Sequence, residues 1–174
     1  MNKGSKDTPM GELMAHFPRK GKVTWIGLRP AKRAPLNEVD SVVANTKSGL
    51  EGDHFAGQYS QKRQVTLIQA EHLATVASLM GEVQIDPRLT RRNIVVKGIN
   101  LLALKEKQFK IGEVILETTG LCHPCSRMEA NLGEGGYNAM RGHGGITAKV
   151  VKGGVIRQGD AVEALQMLVS PEEG

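Results

Sequence analysis

The chain has 174 residues, of which 40% are hydrophobic and 24% charged, a composition typical of one folded domain and not of a disordered chain. No apolar run approaches the length of a membrane span, and the N-terminus lacks the hydrophobic segment of a signal peptide. We therefore expect neither membrane insertion nor secretion. The low number of cysteines, two, suits a reducing compartment and predicts a cytoplasmic protein.

The net charge of +5 is concentrated near the N-terminus. Residues 1–33 hold eight Lys or Arg against two acidic residues, so the rest of the chain is close to neutral. A basic segment can contact an anionic partner. Aromatic residues make up only 3% of the chain, however, and no nucleic-acid recognition motif is present, so nucleic acid is not an expected partner. We interpret the basic segment as a solvated tail.

The first half of the chain predicts short strands and one clear helix. Residues 1–20 are expected to be flexible or partly helical, with a helical turn in Met10–Phe17. Ala70–Met80 predicts a helix, because its apolar residues recur on one helical face. Runs of apolar and β-branched residues predict strands at Val23–Leu28, Val39–Asn45, Gln64–Ile68 and Arg91–Val96.

The second half repeats a pattern of turn and strand. Phe109–Glu113 predicts a turn before a strand at Val114–Thr119, and Ile156–Asp160 predicts another turn before Ala161–Leu165. Eight of the 21 glycines lie between residues 133 and 154, which predicts loops there. Many short strands favour a mainly β fold with a few short helices, a barrel or a sandwich. We place this single domain at residues 21–168, followed by a tail at 169–174.

Both cysteines belong to one short sequence, Cys122-His-Pro-Cys125. They follow the predicted strand Val114–Thr119 and precede Ser126–Glu129, which predicts the start of a short helix. A thiolate is a nucleophile and a soft metal ligand, and the free N–H groups at a helix start favour an anion. The pair is therefore a candidate chemical centre.

Other interpretations of this pair stay open. A structural zinc site needs four ligands, and His54 and His143 do not form the histidine pair that would complete one. The motif also resembles a dithiol redox motif, which normally lies in a βαβ unit. Cysteine can also serve simply as a small buried apolar residue.

Further clusters carry side chains that suit a ligand. Arg91-Arg92-Asn93 precedes an apolar strand; arginine matches a phosphate and asparagine matches a heterocycle edge, although paired arginines are also common on solvated surfaces. Asp53 and His54 form either an acid/base pair or a turn cap. No nucleotide-binding glycine motif is present, and the loop at residues 141–145 suits either an anion or an irregular turn.

Taken in order, these segments resemble a MOSC domain, the module at the C-terminus of molybdenum-cofactor sulfurases that also occurs as small stand-alone bacterial proteins. The resemblance runs from about Lys22 to Leu165, and no single motif decides it. The segments that carry it are Gly49-Leu-Glu-Gly-Asp53-His54, Arg63-Gln-Val-Thr-Leu-Ile, Arg91-Arg92-Asn93-Ile-Val-Val, Thr119-Gly-Leu-Cys-His-Pro-Cys125, Gly144-Gly-Ile and Gly154-Val-Ile-Arg-Gln-Gly-Asp160.

The resemblance implies a closed or partly open MOSC-type β-barrel and a bound pyranopterin molybdenum cofactor. It implies that Cys125 holds the metal, and that Arg91 and Asn93 contact the phosphate and the pterin of the cofactor. Lys32 is a further implied contact to the anion.

Asp53 and His54 match the Gly-Asp motif at the rim of the implied pocket. Together with Cys125 they are our candidate catalytic residues.

The resemblance also implies an activity, because enzymes with similar MOSC domains reduce small N-hydroxylated compounds. Two cysteines cannot ligate an iron–sulfur cluster, and no flavin motif is visible, so such a reductase requires a separate electron-donor protein. Two alternatives remain. The protein is a cofactor or sulfur carrier that uses Cys125, or it is a dithiol redox protein that uses Cys122 and Cys125.

Overall fold

The structure is a computed structural model that describes residues 8–55 and 61–165. Within these ranges, the strands are β1 (Gly21–Leu28), β2 (Asn37–Glu38), β3 (Ser41–Asn45), β4 (Gly49–Leu50), β5 (Val65–Gln69), β6 (Ile94–Lys97), β7 (Gln108–Ile111), β8 (Val114–Leu121), β9 (Ile146–Lys152), β10 (Gly154–Arg157) and β11 (Ala161–Ala164). The helices are α1 (Pro9–Ala15), α2 (Ala70–Met80), α3 (Pro87–Thr90), α4 (Ser126–Leu132) and α5 (Gly136–Met140), with short 3-10 turns at Gln61–Arg63 and Leu101–Leu104.

Seven of these strands close into a barrel in the order β1-β11-β7-β8-β9-β5-β6, and the last returns to β1. The closing pair is antiparallel, with Gly21 opposite Val162. Strands β5 and β6 are parallel, with Leu67 opposite Ile94, because the connection between them carries α2 and α3. Strand β2 extends the sheet beyond β1, and β10, β3 and β4 form a separate small sheet. The predicted mainly β barrel is thus confirmed, and it is closed.

Two apolar clusters stabilise this arrangement. The first includes Phe109, Leu116 and Leu67, each fully buried among side chains from the barrel strands. The second joins strand residues such as Ile68 to residues of the helices such as Met128. Successive residues of β5 therefore belong to different clusters, and all of its residues are buried. A strand covered on both faces does not need to alternate polar and apolar residues, and β5 accordingly has the apolar residues Leu67 and Ile68 side by side.

Strand register brings several chain segments together at one end of the barrel. Leu121 pairs with Ile146, which pairs with Leu67, which in turn lies opposite Ile94; Ile94 pairs with Ile26. Strands β1 and β8 therefore end where β5, β6 and β9 begin. The loops that follow β1 and β8, and those that precede β5 and β6, meet at this end.

Most predicted elements are confirmed within a few residues. Helix α2 has the predicted bounds, and α4 begins at the predicted Ser126. Two predictions were wrong. The segment Phe109–Glu113 is largely strand β7, and the glycine-rich region at 133–154 contains α5 and the long strand β9.

Part of the predicted domain layout lies outside the described residues. Helix α1 lies in the segment predicted to be partly helical. Residues 1–7 and 166–174, including the predicted tail, are not described. In the ranges that are described, no helix is long and apolar enough to cross a membrane.

A histidine pair lies where α2 meets the loop that follows α5. The rings of His72 and His143 are 5.0 Å apart between centroids, and the Nδ1 atom of each is buried with no hydrogen-bond partner among the described residues. Burial and, to a smaller extent, His143 lower the pKa of His72, while Glu71 opposes this shift. The native state therefore binds a proton at His72 less readily than the unfolded chain does.

This shift predicts that the protein loses stability in mild acid. The unfolded histidine takes up its proton near pH 6.5, so the contribution of His72 to the free energy of unfolding is fully present above about pH 6.5 and is lost as the pH falls through the lower pKa of the folded state. We expect His72→Gln to flatten the decrease in melting temperature between pH 7.5 and 5. His16→Gln changes an exposed histidine after α1 and should retain the wild-type slope. Equal slopes for wild type and His72→Gln would contradict this account.

Candidate functional site

A cavity of about 480 Å³ opens at the end of the barrel where these loops meet. It is lined by Arg29, Lys32, Arg33, His54, Phe55, Arg63, Thr66, Arg91, Arg92, Cys122, Cys125, Arg127 and Met128. Seven of these residues are Arg or Lys, and none is Asp or Glu. Such a concentration of one charge in a concave site produces a strong positive potential, which favours an anionic ligand.

The two cysteines lie in different environments within this cavity. Cys122 is buried at 2% exposure, and its Sγ accepts a long hydrogen bond of 3.7 Å from the guanidinium of Arg63. Cys125 is exposed, occupies the N-cap position of α4, and its side chain caps no backbone N–H. Both are free thiols, but only Cys125 is exposed, so Cys125 is the sulfur available to a ligand.

Arg92 holds the cysteine loop in place. Its Nε donates to the carbonyl of Gly144 at 2.8 Å, and one terminal nitrogen donates to the carbonyl of Thr90 at 2.9 Å. The other terminal nitrogen donates to the carbonyls of Cys122 and His123 at 2.9 and 3.4 Å. The residue is only 5% exposed. One buried guanidinium therefore joins the start of β6 to the cysteine loop and to the glycine loop before β9.

The glycine loop fits tightly against the same segment. A Cβ atom added at Gly144 would lie 2.0 Å from the carbonyl oxygen of Cys122. Gly145 has a φ of +84°, and its carbonyl accepts the backbone N–H of Cys122 at 2.9 Å. None of residues 141–145 lines the cavity. This loop therefore supports the cysteines from behind.

Arg91 lines the cavity but, unlike its neighbour Arg92, does not hold another chain segment. It ends α3 in the left-handed conformation, with φ at +62°, and its guanidinium has no hydrogen bond within the described residues. Burial, then Arg29 and Arg127, lower the pKa of Arg91, while Cys125 and Asp53 raise it. Because arginine stays protonated, these shifts describe a charged group crowded by like charges and near the Cys125 thiol.

Asp53 and His54 both form hydrogen bonds with Arg29, which lines the cavity. The Asp53 side chain is 2% exposed and accepts the backbone N–H of Arg29 at 2.7 Å and its guanidinium at 3.4 Å. Asp53 does not itself line the cavity, whereas His54 does and is exposed. Asp53 therefore fixes Arg29, and His54 is accessible to a ligand.

Asn93 lies behind the cavity wall. Its Nδ2 donates to the carbonyl of Gly27 at 3.1 Å, and its Oδ1 accepts from the backbone N–H and the hydroxyl of Thr66 at 3.2 and 3.1 Å. The amide is 1% exposed and connects β1 to β5. Thr66, not Asn93, lines the cavity. A direct contact between Asn93 and a cofactor stays a prediction.

The interpretation of the N-terminal basic segment as a solvated tail was wrong for Arg29 and Arg33. Both follow β1 and line the cavity, together with Lys32, for which the resemblance implied a contact to the anion. Arg63 and Arg127 also line the cavity and were not predicted from the sequence. Their positions in the sequence could have indicated this, because Arg63 directly precedes a predicted strand and Arg127 follows the cysteine motif.

Among residues 8–55 and 61–165, no group of three or more His, Cys, Asp or Glu side chains is arranged to hold a metal ion. His143 lies beside His72, while His54 lies at the cavity. The chain by itself therefore offers one exposed thiol, and any metal there must bring most of its ligands with it.

The sequence of this chain matches the model of a known family. The sequence profile of the MOSC domain matches residues 53–163, which is more than half of the chain. The chain belongs to the MOSC domain family. No curated protein sequence matches the chain. The family expected from the motifs is thus confirmed.

Several solved structures share the MOSC fold of this chain. The YuaD protein from Bacillus subtilis has a TM-score of 0.72 at 20% identity, over 85% of this chain and 98% of that one. YiiM from Escherichia coli has a TM-score of 0.66 at 17% identity, over 88% of this chain and 73% of that one. YiiM from Geobacillus stearothermophilus has a TM-score of 0.66 at 13% identity, over 84% and 75%. At these identities the similarity establishes the fold alone.

The contacts of Arg92 predict that lysine cannot replace it. An ammonium group cannot reproduce the forked set of donors, and carbonyls left without partners in a buried site are costly. We expect Arg92→Lys to lower the free energy of unfolding by about 2–4 kcal/mol. A thiol reagent should react quickly with Cys125 alone in the wild type and with both cysteines in the variant.

Arg91→Lys is the matched control, because the neighbouring side chain makes no hydrogen bond to the cysteine loop in the described structure. It should keep wild-type stability and a single fast thiol. Wild-type stability and a single fast thiol in Arg92→Lys would show that the carbonyl contacts do not hold the loop.

Proposed function

We propose that this protein binds a pyranopterin molybdenum cofactor in the cationic cavity through Cys125. With it, the protein reduces small N-hydroxylated compounds. The observation that carries this proposal is the meeting of one exposed thiol with seven Arg or Lys side chains in a single cavity. The MOSC domain family, to which the chain belongs, is associated with molybdenum-cofactor binding.

The residues present suit such a group in size and in charge. A volume of about 480 Å³ lies within the range of ordinary cofactor sites. Arg29 lines the cavity, and its Nε is buried without a hydrogen-bond partner in the described residues. A buried donor of this kind is costly unless it is paired, and an anionic oxygen would satisfy it.

Different cavity residues suit the metal and the phosphate of the cofactor. Cys125 would provide the soft thiolate ligand, because its sulfur is exposed and free. Arg91 and Lys32 would hold the phosphate, because both line the cavity and neither has a side-chain partner among the described residues. Asp53 would act through Arg29, whose backbone and guanidinium it holds.

When bound, the cofactor supplies a metal centre that accepts an oxygen atom and exchanges two electrons. Removing the hydroxyl oxygen from nitrogen consumes two electrons and two protons and releases water. His54 is exposed at the cavity and would carry a proton to the substrate. The electrons would come from a separate donor protein, because two cysteines cannot ligate an iron–sulfur cluster.

The role of Cys125 predicts that its loss empties the site. Protein produced with molybdate in a host that makes the cofactor should contain close to one molybdenum and one pterin per chain. We expect Cys125→Ala to lose at least nine-tenths of the molybdenum, because its ligand from the protein is gone. A loss of about 1.4 kcal/mol in binding free energy already weakens binding about tenfold. Metal analysis and the fluorescence of the oxidised pterin measure this.

Cys122→Ala is the matched control, because it removes the buried thiol of the same loop and should leave the metal in place. Equal molybdenum in Cys125→Ala and wild type would contradict the assignment. Bound molybdenum without turnover of any N-hydroxylated compound, even with an artificial electron donor, would favour a carrier module instead.

The proposed phosphate contact predicts weaker retention of the cofactor in Arg91→Gln. A hydrogen bond to a charged group contributes about 1.5–3 kcal/mol, so retention during gel filtration should fall at least tenfold. Arg88→Gln is the control, because Arg88 lies on the same short helix but pairs with Asp86 and Glu38. Equal pterin in both variants would remove Arg91 from the phosphate site.

A further inference from the structure

The cavity holds more positive charge than a single cofactor phosphate explains. Three of its seven cations already have partners within the chain. Asp53 neutralises Arg29, four carbonyl oxygens surround the Arg92 guanidinium, and Arg63 contacts the sulfur of Cys122. These three side chains are therefore fixed by the fold.

The other four are Lys32, Arg33, Arg91 and Arg127. None of them has a side-chain hydrogen bond or ion pair among residues 8–55 and 61–165. A phosphate monoester carries about two negative charges at most. If Lys32 and Arg91 hold that phosphate and the metal binds the Cys125 thiolate, Arg33 and Arg127 have no partner assigned to them in the chain or on the cofactor.

Neither position is explained by the stability of the chain. Arg127 lies in the first turn of α4, where the helix dipole disfavours a positive charge. It also crowds Arg91, whose pKa it helps to lower. Arg33 occupies a left-handed conformation, with φ at +63°, which costs a residue that has a Cβ atom. Both are exposed and face a cavity that already repels cations.

Charges that weaken the free chain but line a ligand cavity are typical of residues that recognise a ligand. Arg127 lies only two residues beyond Cys125, so its charge is close to the proposed reaction centre. We propose that Arg33 and Arg127 are specificity-determining residues that make the site prefer N-hydroxylated substrates bearing a carboxylate or a phosphate. This inference rests on the proposed function.

Two matched pairs of probes separate the anionic group from the rest of the substrate. Benzamidoxime and its 4-carboxylate derivative differ by a carboxylate, and N4-hydroxycytidine and its 5′-monophosphate differ by a phosphate. Binding to cofactor-loaded protein is measured by calorimetry without an electron donor, so no turnover occurs. Rates are then measured with an artificial donor. The two pairs show which anion the site prefers.

We expect the anionic member of at least one pair to bind about tenfold more tightly, because each exposed charge pair contributes severalfold. This preference should shrink as sodium chloride is raised, since salt screens exposed charges. In the double variant Arg33→Gln/Arg127→Gln it should fall to about twofold or less. Molybdenum and pterin content should remain at the wild-type level.

The control is the double variant Arg141→Gln/Arg157→Gln. It removes the same net charge from residues that do not line the cavity, and it should keep the wild-type preference.

Three results would overturn the inference. They are equal binding of both members of each pair by the wild type, an unchanged preference in Arg33→Gln/Arg127→Gln, and loss of the cofactor from that variant, which would assign these charges to the cofactor. A failure of the proposed function looks different. In that case the anionic probe still binds preferentially, but no probe is reduced with the donor present.

Discussion

The geometry of the site depends on the buried guanidinium of Arg92. Its hydrogen bonds reach carbonyls of three segments that are distant in sequence, at Thr90, the cysteine loop and Gly144. Burial lowers the pKa of Arg92, but an arginine side chain stays protonated in a protein, so carbonyl oxygens must take the place of water around a full positive charge. Because the residue adjoins β6, a barrel strand, the position of Cys125 is coupled to the barrel itself and not to the loop alone.

Around this fixed point, the fold brings together charges that repel one another. Residues that follow β1, precede β5 and β6, and begin α4 all contribute cations to one cavity. The closed barrel makes this possible, because its hydrogen bonds and the two apolar clusters stabilise the chain independently of the cavity. Only Asp53 opposes these charges through an ion pair in the described part of the site. The remaining positive potential is therefore available to a ligand.

Local patterns were enough to predict much of the fold but little of this site. Helix α2 follows from the spacing of its apolar residues, and β8 from its β-branched residues, so both were predicted. The short helix α3 was missed because it depends on the Asp86 cap and on Pro87. The cationic cavity depends on strand register, which pairs residues far apart in sequence. The sequence does name Cys125 and Arg91, but it does not show that Arg29, Arg63 and Arg127 lie beside them.

The division of labour between Arg91 and Arg92 follows from backbone position and not from residue type. Arg92 directly precedes Asn93, which connects β1 to β5, and its side chain is buried among carbonyls. Arg91 ends α3 in a left-handed conformation, and its side chain makes no hydrogen bond within the described residues. A strained backbone is retained only where the surroundings determine it, and such positions are frequent at ligand sites. Two neighbouring arginines therefore have different roles: Arg92 holds the cysteine loop in place, and the charge of Arg91 faces the cavity.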